Sequence, residues 1–281
     1  MSSTFSRKGA AVKSTITLVG LGFAAAVTAV NAAEGPIPEH PALRDRYYFA
    51  VGAFFPSTTT SAQLNSSQLG VGTNIDFEDS LGMQRSKTVP NMLGRMRFGE
   101  RWRVEAEYFQ LNRNGDHTTD RSIQWGDKVF PAGTQLTSTF DFSDLRVSGG
   151  YSFFRTSDKE FGVGLGIHAA SYKVSLGTNS IGKDSDDVTA PLPVLSFYGQ
   201  VALTDRWAVS GRFDRFSLSY DKYDGNISSV GLDVMYQPFR HVGFGVGHRS
   251  LFITLEASDA DRTAKFRQTF QGPLLFMNAS F

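Results

Sequence analysis

The sequence has no cysteine, which excludes disulfide scaffolds, thiolate zinc sites, thiol nucleophiles and lipid attachment through cysteine. It has almost no charge excess, with 28 Lys and Arg against 27 Asp and Glu. The balance excludes any general attraction to nucleic acid or to an anionic lipid surface. Beyond residue 45 no apolar run approaches the roughly eighteen residues of a membrane helix. What is present is 24 Phe and 28 Gly in 281 residues, 41% hydrophobic residues and a mean hydropathy of −0.20. Such a chain is too rich in hydrophobic residues for disorder, and it is unlike a soluble domain that gathers its Phe into one core.

Arg7, Lys8 and Lys13 precede an apolar stretch from Ile16 to Val30, and Val30-Asn31-Ala32 supplies the small residues of a cleavage site. Residues 1–32 are therefore expected to be a secretory signal peptide. Removal takes three of the 28 basic residues, leaving 25 against 27 acidic, so the mature charge is −2. Residues 33–45 carry three prolines and read as a periplasmic spacer, and 46–281 as one further domain.

That domain is dominated by period-2 alternation. Val147, Gly149, Tyr151 and Phe153 alternate with Arg146, Ser148, Gly150 and Ser152, and Phe161 to Ala169 and Val230 to Tyr236 behave likewise. One apolar face and one small or polar face is the pattern of a transmembrane barrel. A soluble sandwich alternates too, so the turns matter. Ten strands are placed near 46–57, 88–98, 101–113, 133–154, 160–176, 191–204, 206–220, 225–238, 241–256 and 263–281. Every second joint is short, and the others are generally longer and rich in Asn, Asp, Ser and Gly. Short periplasmic turns and long extracellular loops are expected of an outer-membrane barrel. The predicted fold is an all-β, antiparallel, up-and-down transmembrane barrel of about ten strands, with eight or twelve as alternatives. Both termini are placed in the periplasm.

Aromatic residues gather beside the short joints: Tyr47, Phe49, Phe98, Trp102, Tyr151, Phe153, Phe161, Trp207, Tyr236 and Phe281. Rings at that level are expected to form an aromatic girdle. The opposite parity predicts a lumen face of Arg95, Arg97, Arg103, Glu105, Glu107, Asp144, Arg146, His168, Arg212, Asp214 and Asp233. Five Arg and five carboxylates do not select one sign of ion. In a small barrel they are expected to fill the lumen with ion pairs, leaving a closed or narrow pore. Phe is expected to face mostly lipid, and Gly the crowded lumen. In 206–220 the apolar parity switches after Phe213, which predicts either a bulge near Asp214 and Arg215 or a strand rising above the membrane.

No catalytic constellation stands out, and His248 with Ser250 is only a weak candidate. The two share a strand face, and the segment resembles the H-x-S pair of an outer-membrane lipid A deacylase over a few residues. Glu256 lies six residues beyond Ser250, roughly 20 Å along a strand, too far to orient His248. His117, His168 and His241 show no metal spacing. Asp184, Asp186 and Asp187 lack the EF-hand pattern. No cofactor or metal is expected. Ile75 to Gly82 sits in the longest connection, where Phe77 and Leu81 would suit a short amphipathic turn closing one mouth, or an extra hairpin.

The last strand ends on Phe281 with Leu275, Met277 and Ala279 on its face. This resembles the C-terminal signature read by the barrel assembly machinery. Phe77-Glu78-Asp79-Ser80-Leu81-Gly82, Val129 to Gly133, Tyr151-Ser152-Phe153 and Gly272-Pro273 resemble a proteobacterial family of outer-membrane barrels, within the broad OmpA-like and OmpW-like group. The resemblance implies an outer-membrane location and lipid contact, and carries no catalytic residues across. A structural or surface-loop role is expected for a chain that is no enzyme, with a channel for small or hydrophobic solutes, or a lipid-modifying enzyme, as alternatives. No nucleic-acid partner is expected, and a monomer is favoured.

Overall fold

A computed structural model describes residues 40–66, 74–120, 122–125, 128–178, 184–220, 223–259 and 262–281. Met1–Pro36 and Ile37–Phe281 form two units. The first unit, with the expected signal 1–32, lies outside the described residues, as do the side chains of Asp184, Asp186 and Asp187.

The second unit begins with helix α1 (Pro41–Arg44) and strand β1 (Tyr47–Phe54). Then come β2 (Ser57–Ser66), β3 (Asn74–Asp76), helix α2 (Phe77–Leu81), β4 (Val89–Phe98) and β5 (Trp102–Thr118). A small hairpin, β6 (Ile123–Trp125) and β7 (Lys128–Phe130), stands apart from the main sheet. The rest of the wall is β8 (Gln135–Arg155), β9 (Lys159–Gly177), β10 (Asp184–Ala202), β11 (Trp207–Tyr220), β12 (Tyr223–Tyr236), β13 (Val242–Asp259) and β14 (Arg262–Ser280).

Ten of these strands close an antiparallel barrel in the order β1, β4, β5, β8 to β14, and β14 returns to pair with β1. Closure removes the edges an open sheet would expose. The seam is tied by Tyr47 N–H to Phe281 O at 2.8 Å and Phe281 N–H to Tyr47 O at 2.9 Å, which sets the last residue beside the first strand at the short-turn end. The long connection after β1 does not add a hairpin to the barrel. β2 instead pairs with β14 above the point where β1 stops, and β3 pairs with β2. The sheet therefore has twelve strands and the closed barrel ten.

The alternation sorts residues as the period demands. Along β8, Leu145, Val147 and Phe153 are exposed, whereas Asp144, Arg146, Ser148 and Ser152 are buried. The β11–β12 ladder runs unbroken from Trp207 opposite Tyr236 to Tyr220 opposite Tyr223. There is thus no bulge at Asp214, and Phe216 keeps its inward parity and packs on the core. A register shift lies instead between Tyr151 and Phe154 on β8. The extra residue there leaves Phe153 and Phe154 both exposed.

The exposed apolar residues form a belt toward the short-turn end: Phe49 and Val51 on β1, Met92 on β4, Val104 on β5, Leu165 and Ile167 on β9, Leu195 and Phe197 on β10, Val246 on β13, Leu275 and Met277 on β14. A soluble monomer does not expose a continuous belt of this extent. Farther along β5 the outward residues turn polar, through Gln110, Asn112, Asn114 and Asp116, all exposed. β8 has 21 residues and β9, β10 and β14 have 19 each, against the roughly 9–11 that span a bilayer. The wall therefore continues well past the belt, toward the long-loop end.

Candidate functional site

The lumen is occupied in layers. At the short-turn mouth sits α1, whose backbone is gripped by arginines from the wall. Ala42 O accepts from Arg95 Nη2 at 3.0 Å and Arg97 Nη2 at 3.2 Å, and Leu43 O accepts from Arg155 Nη2 at 2.8 Å. The last carbonyls of a helix are its negative end, so guanidinium groups are suitable partners. His40 caps the helix, its Nδ1 accepting from Ala42 N–H at 3.2 Å. His40, Ala42 and Leu43 are all buried, so the C-terminal part of the Pro-rich spacer is built into the barrel mouth.

Burial holds the His40 imidazole below its ordinary pKa of 6.5, and Arg95 adds to the lowering. Arg206, Asp205 and Asp45 oppose it less strongly. Free imidazole titrates near 6.5, so between the two values the undocked segment binds more protons than the docked one. The contribution of His40 to docking is complete above about pH 6.5 and shrinks as pH falls below it. Amide exchange of residues 42–45, corrected for intrinsic rate, is expected to quicken between pH 7.5 and pH 5.5. His40→Asn, which keeps a capping acceptor, is expected to flatten that dependence; equal protection at both pH values in the wild type would refute it.

Above α1, Arg97 pairs with Glu160 at 2.6 Å, and Ser152 donates to Glu160 at 2.5 Å. Arg95 lies over the Tyr48 ring, 4.7 Å from its centroid, and Arg103 over Tyr198 at 3.2 Å. Gly150 and Gly162 face the Tyr198 ring so closely that any Cβ there would overlap it. Glycine at this inward parity leaves the lumen space the ring fills.

The next layer is a belt of crossed ion pairs. Asp214 receives Arg146 Nε at 2.7 Å, Arg146 Nη2 at 3.3 Å, Arg212 Nε at 3.1 Å and Ser196 Oγ at 2.5 Å. Glu105 takes Arg146 and Arg212 at 2.9 and 3.1 Å. Glu107 takes Arg212 at 2.5 Å and Arg249 at 2.8 Å, and Asp233 takes Arg249 at 2.7 Å. His168 Nδ1 lies 2.8 Å from Asp144 Oδ2. All eleven side chains predicted for the lumen lie in this connected core of charge or against α1, Arg103 pairing with Glu105 at 3.8 Å as well as stacking on Tyr198. Arg249 and Glu160 complete the set and were missed, although each has the parity of neighbouring inward glycines, Gly247 and Gly162. Among the described residues the belt and the layer below it hold six guanidinium groups and six carboxylates besides His168, so removing any one charge leaves another uncompensated.

Toward the long-loop end the filling changes character. Phe142 stacks on Phe270 at 4.5 Å, and Phe109 meets Phe54, Phe142 and Phe270 at 5.5 to 5.7 Å. Tyr172 lies 5.1 Å from Phe142 and 5.2 Å from Phe266. The expectation that Phe mostly faces lipid thus fails here, because beyond the belt the outward residues are polar and the inside takes the apolar residues. Two spaces around the charges are cavities of about 40 Å³ and about 30 Å³. A water needs about 10–15 Å³ on this measure, so each has room for only a few waters.

The last layer is α2. Asp76 caps it, accepting from Glu78 N–H and Asp79 N–H, and Gly82 ends it with φ of 67°. Glu78 is buried against Arg113 and accepts from Thr60 N–H at 2.9 Å. The segment is the amphipathic closing turn anticipated at Phe77 and Leu81, both buried.

On the outside, the predicted girdle residues lie at the short-turn end. Tyr47, Phe49, Phe98, Trp102, Phe153, Trp207 and Phe281 are exposed, Phe161 is half-buried, and Trp102 packs on Tyr151 and Trp207 on Tyr236 at 5.0 and 4.7 Å. His248 Nε2 and Ser250 Oγ are 3.1 Å apart on the outer wall. Glu256 is engaged by Lys265, and no carboxylate among the described residues orients His248. Among the described residues no group of three His, Asp or Glu could hold a metal ion, and no helix is long and apolar enough to cross a membrane.

Comparison with solved structures places this geometry. The outer membrane protease OmpT from Escherichia coli superposes with a TM-score of 0.52 at 10% identity, covering 83% of this chain and 97% of that one. The fold is that of the outer-membrane β-barrels. OprG from Pseudomonas aeruginosa covers 84% of this chain and 97% of its own at 12% identity and a TM-score of 0.35, and Ail of Yersinia pestis 82% and 99% at 9% and 0.32. No protein-family profile matches the sequence, and no curated protein matches it. At this identity the likeness to OmpT is one of architecture alone.

Proposed function

We propose that this chain is an integral barrel of the bacterial outer membrane with no enzymatic activity, closed to solutes, whose role is structural or lies in what its wall and loops present at the surface. The observation that supports this reading is the filled lumen: α1, the ion-pair belt, the aromatic layer and α2 succeed one another along the axis. A barrel built to conduct would keep an aqueous path of one preferred charge. In this reading the apolar belt contacts membrane lipid, the short-turn end is periplasmic, and the terminal strand ending at Phe281 is what the barrel assembly machinery engages. The tall polar wall beyond the belt then stands outside the cell. The His248 and Ser250 pair, with no carboxylate among the described residues to orient it, gives no reason to prefer catalysis.

Planar bilayers test the proposal. Purified protein that shows a heat-dependent shift on detergent gels, hence folded, is expected to give no steady conductance across lipid. A large, steady open state in such a sample would overturn the closed lumen.

A further inference from the structure

The barrel wall is not hydrogen-bonded all the way round at the long-loop end. The last β4–β5 pair is Asn91 with Phe109, so among the described residues β5 from Gln110 to Thr118 has no strand on that side. β2 extends the wall from β14, and among the described residues its far side pairs with the short β3 through Ser61 to Gln63, bridges Ser86 through Ser57, and donates from Thr58 N–H to Arg85 O at 2.7 Å and from Thr60 N–H to Glu78. The gap between β3 and β5 is filled by α2 and the residues after it.

What fastens α2 there is mostly side-chain chemistry. Glu78 pairs with Arg113, Arg113 Nη2 donates to Thr60 Oγ1 at 2.8 Å, and Ser138 Oγ donates to Leu81 O at 3.3 Å. The Phe77 ring stands edge-on to Phe140 at 5.6 Å and 84°, and Arg113 lies 4.9 Å from the centroid of that same Phe140 ring. With a cap at each end, α2 is a self-contained turn that inserts one phenyl ring and, on the next residue, one carboxylate into a seat made of an aromatic face and a guanidinium.

We propose that this seat is a binding site for small aromatic carboxylates, and that Phe77 and Glu78 are its resident occupants. A benzoate-like molecule replaces both interactions at once: its ring packs on Phe140 and its carboxylate accepts from Arg113 Nη1, as Glu78 does, while Nη2 stays on Thr60 Oγ1. A carboxylate without a ring, or a ring without a carboxylate, replaces only one and leaves the other partner unpaired. Leaving Arg113 buried without its carboxylate is the costly part of opening, which is why the ligand must carry the charge. Binding frees α2 from the seam and loosens the long-loop mouth, while the ion-pair belt beneath keeps the lumen shut.

The test uses the full barrel in neutral phosphatidylcholine vesicles and amide exchange at residues 77–83. Benzoate at millimolar concentration is expected to speed exchange there at least tenfold and to saturate, while acetate and benzyl alcohol at equal concentration have little effect. Glu78→Gln is expected to speed exchange without ligand, on the order of 100-fold, since it breaks the buried pair. Because the chain lacks cysteine, Ser57→Cys with Ser86→Cys places two thiols on directly opposed residues, within disulfide reach. Neither residue belongs to the seat. The oxidised form is expected to lose the benzoate response, and reduction to restore it. Unchanged exchange with benzoate in the wild type, an equal response to acetate or benzyl alcohol, or a response that survives the disulfide would each overturn the site. A steady conductance of the unliganded protein would overturn the closed-barrel function and leave this readout intact.

Discussion

Asp214→Asn is expected to lower barrel stability by about 3–5 kcal/mol, the range for breaking a buried ion pair from one side. Asp214 is fully buried and accepts from Arg146, Arg212 and Ser196. Asparagine preserves the shape and one acceptor, so the loss comes from charge. Arg146 and Arg212 would then share Glu105 alone at that level, with Arg212 also reaching Glu107. The size of the effect comes from leaving a guanidinium uncompensated, so it should shrink when that guanidinium is removed too. Arg146→Gln placed in the Asp214→Asn background is expected to cost much less than Arg146→Gln alone, with a coupling of at least about 1 kcal/mol. Urea titration of the folded fraction, read by the heat-dependent gel shift, measures both. Strictly additive losses would mean that the belt acts as separate surface-like pairs and not as one network.

The distribution of these partners explains what could be read in advance. Strand count and face were legible because the period-2 signal is local: Arg146 and Asp214 each announce their inward side by their own neighbours. Pairing across the lumen was not, since Arg146 and Asp214 are 68 residues apart and meet only because ten strands close with one register. Arg249 was hidden between His248 and Ser250, whose spacing drew a catalytic reading, although its parity is that of Gly243, Gly245 and Gly247. The spacer 33–45 looked featureless because nothing local marks Ala42 O and Leu43 O as acceptors for arginines 53 to 112 residues away. The aromatic layer was misjudged for a different reason. An alternating strand shows which residues share a face, but which face is apolar reverses where the wall passes beyond the exposed belt.

That reversal yields the second large effect, in the aromatic layer. Phe142→Ala is expected to cost about 3–5 kcal/mol. Phe142 is 1% exposed and is ringed by Phe109, Tyr172 and Phe270 at 4.5 to 5.7 Å. Its neighbours are themselves anchored on separate strands of a closed barrel, so they have little freedom to collapse into the space, and the cavity term adds to the lost burial. A cavity lined by rings stays dry and accepts an apolar molecule of the deleted size. Benzene at about one hundred times its dissociation constant is therefore expected to return up to about 2.7 kcal/mol, restoring much of the urea midpoint of Phe142→Ala. It is expected to do nothing for Asp214→Asn, whose defect is an unpaired charge. The contrast separates the two layers by chemistry: rescue of both variants by benzene would show general lipid-phase stabilisation, and rescue of neither would show that the aromatic layer relaxes to fill its own vacancy.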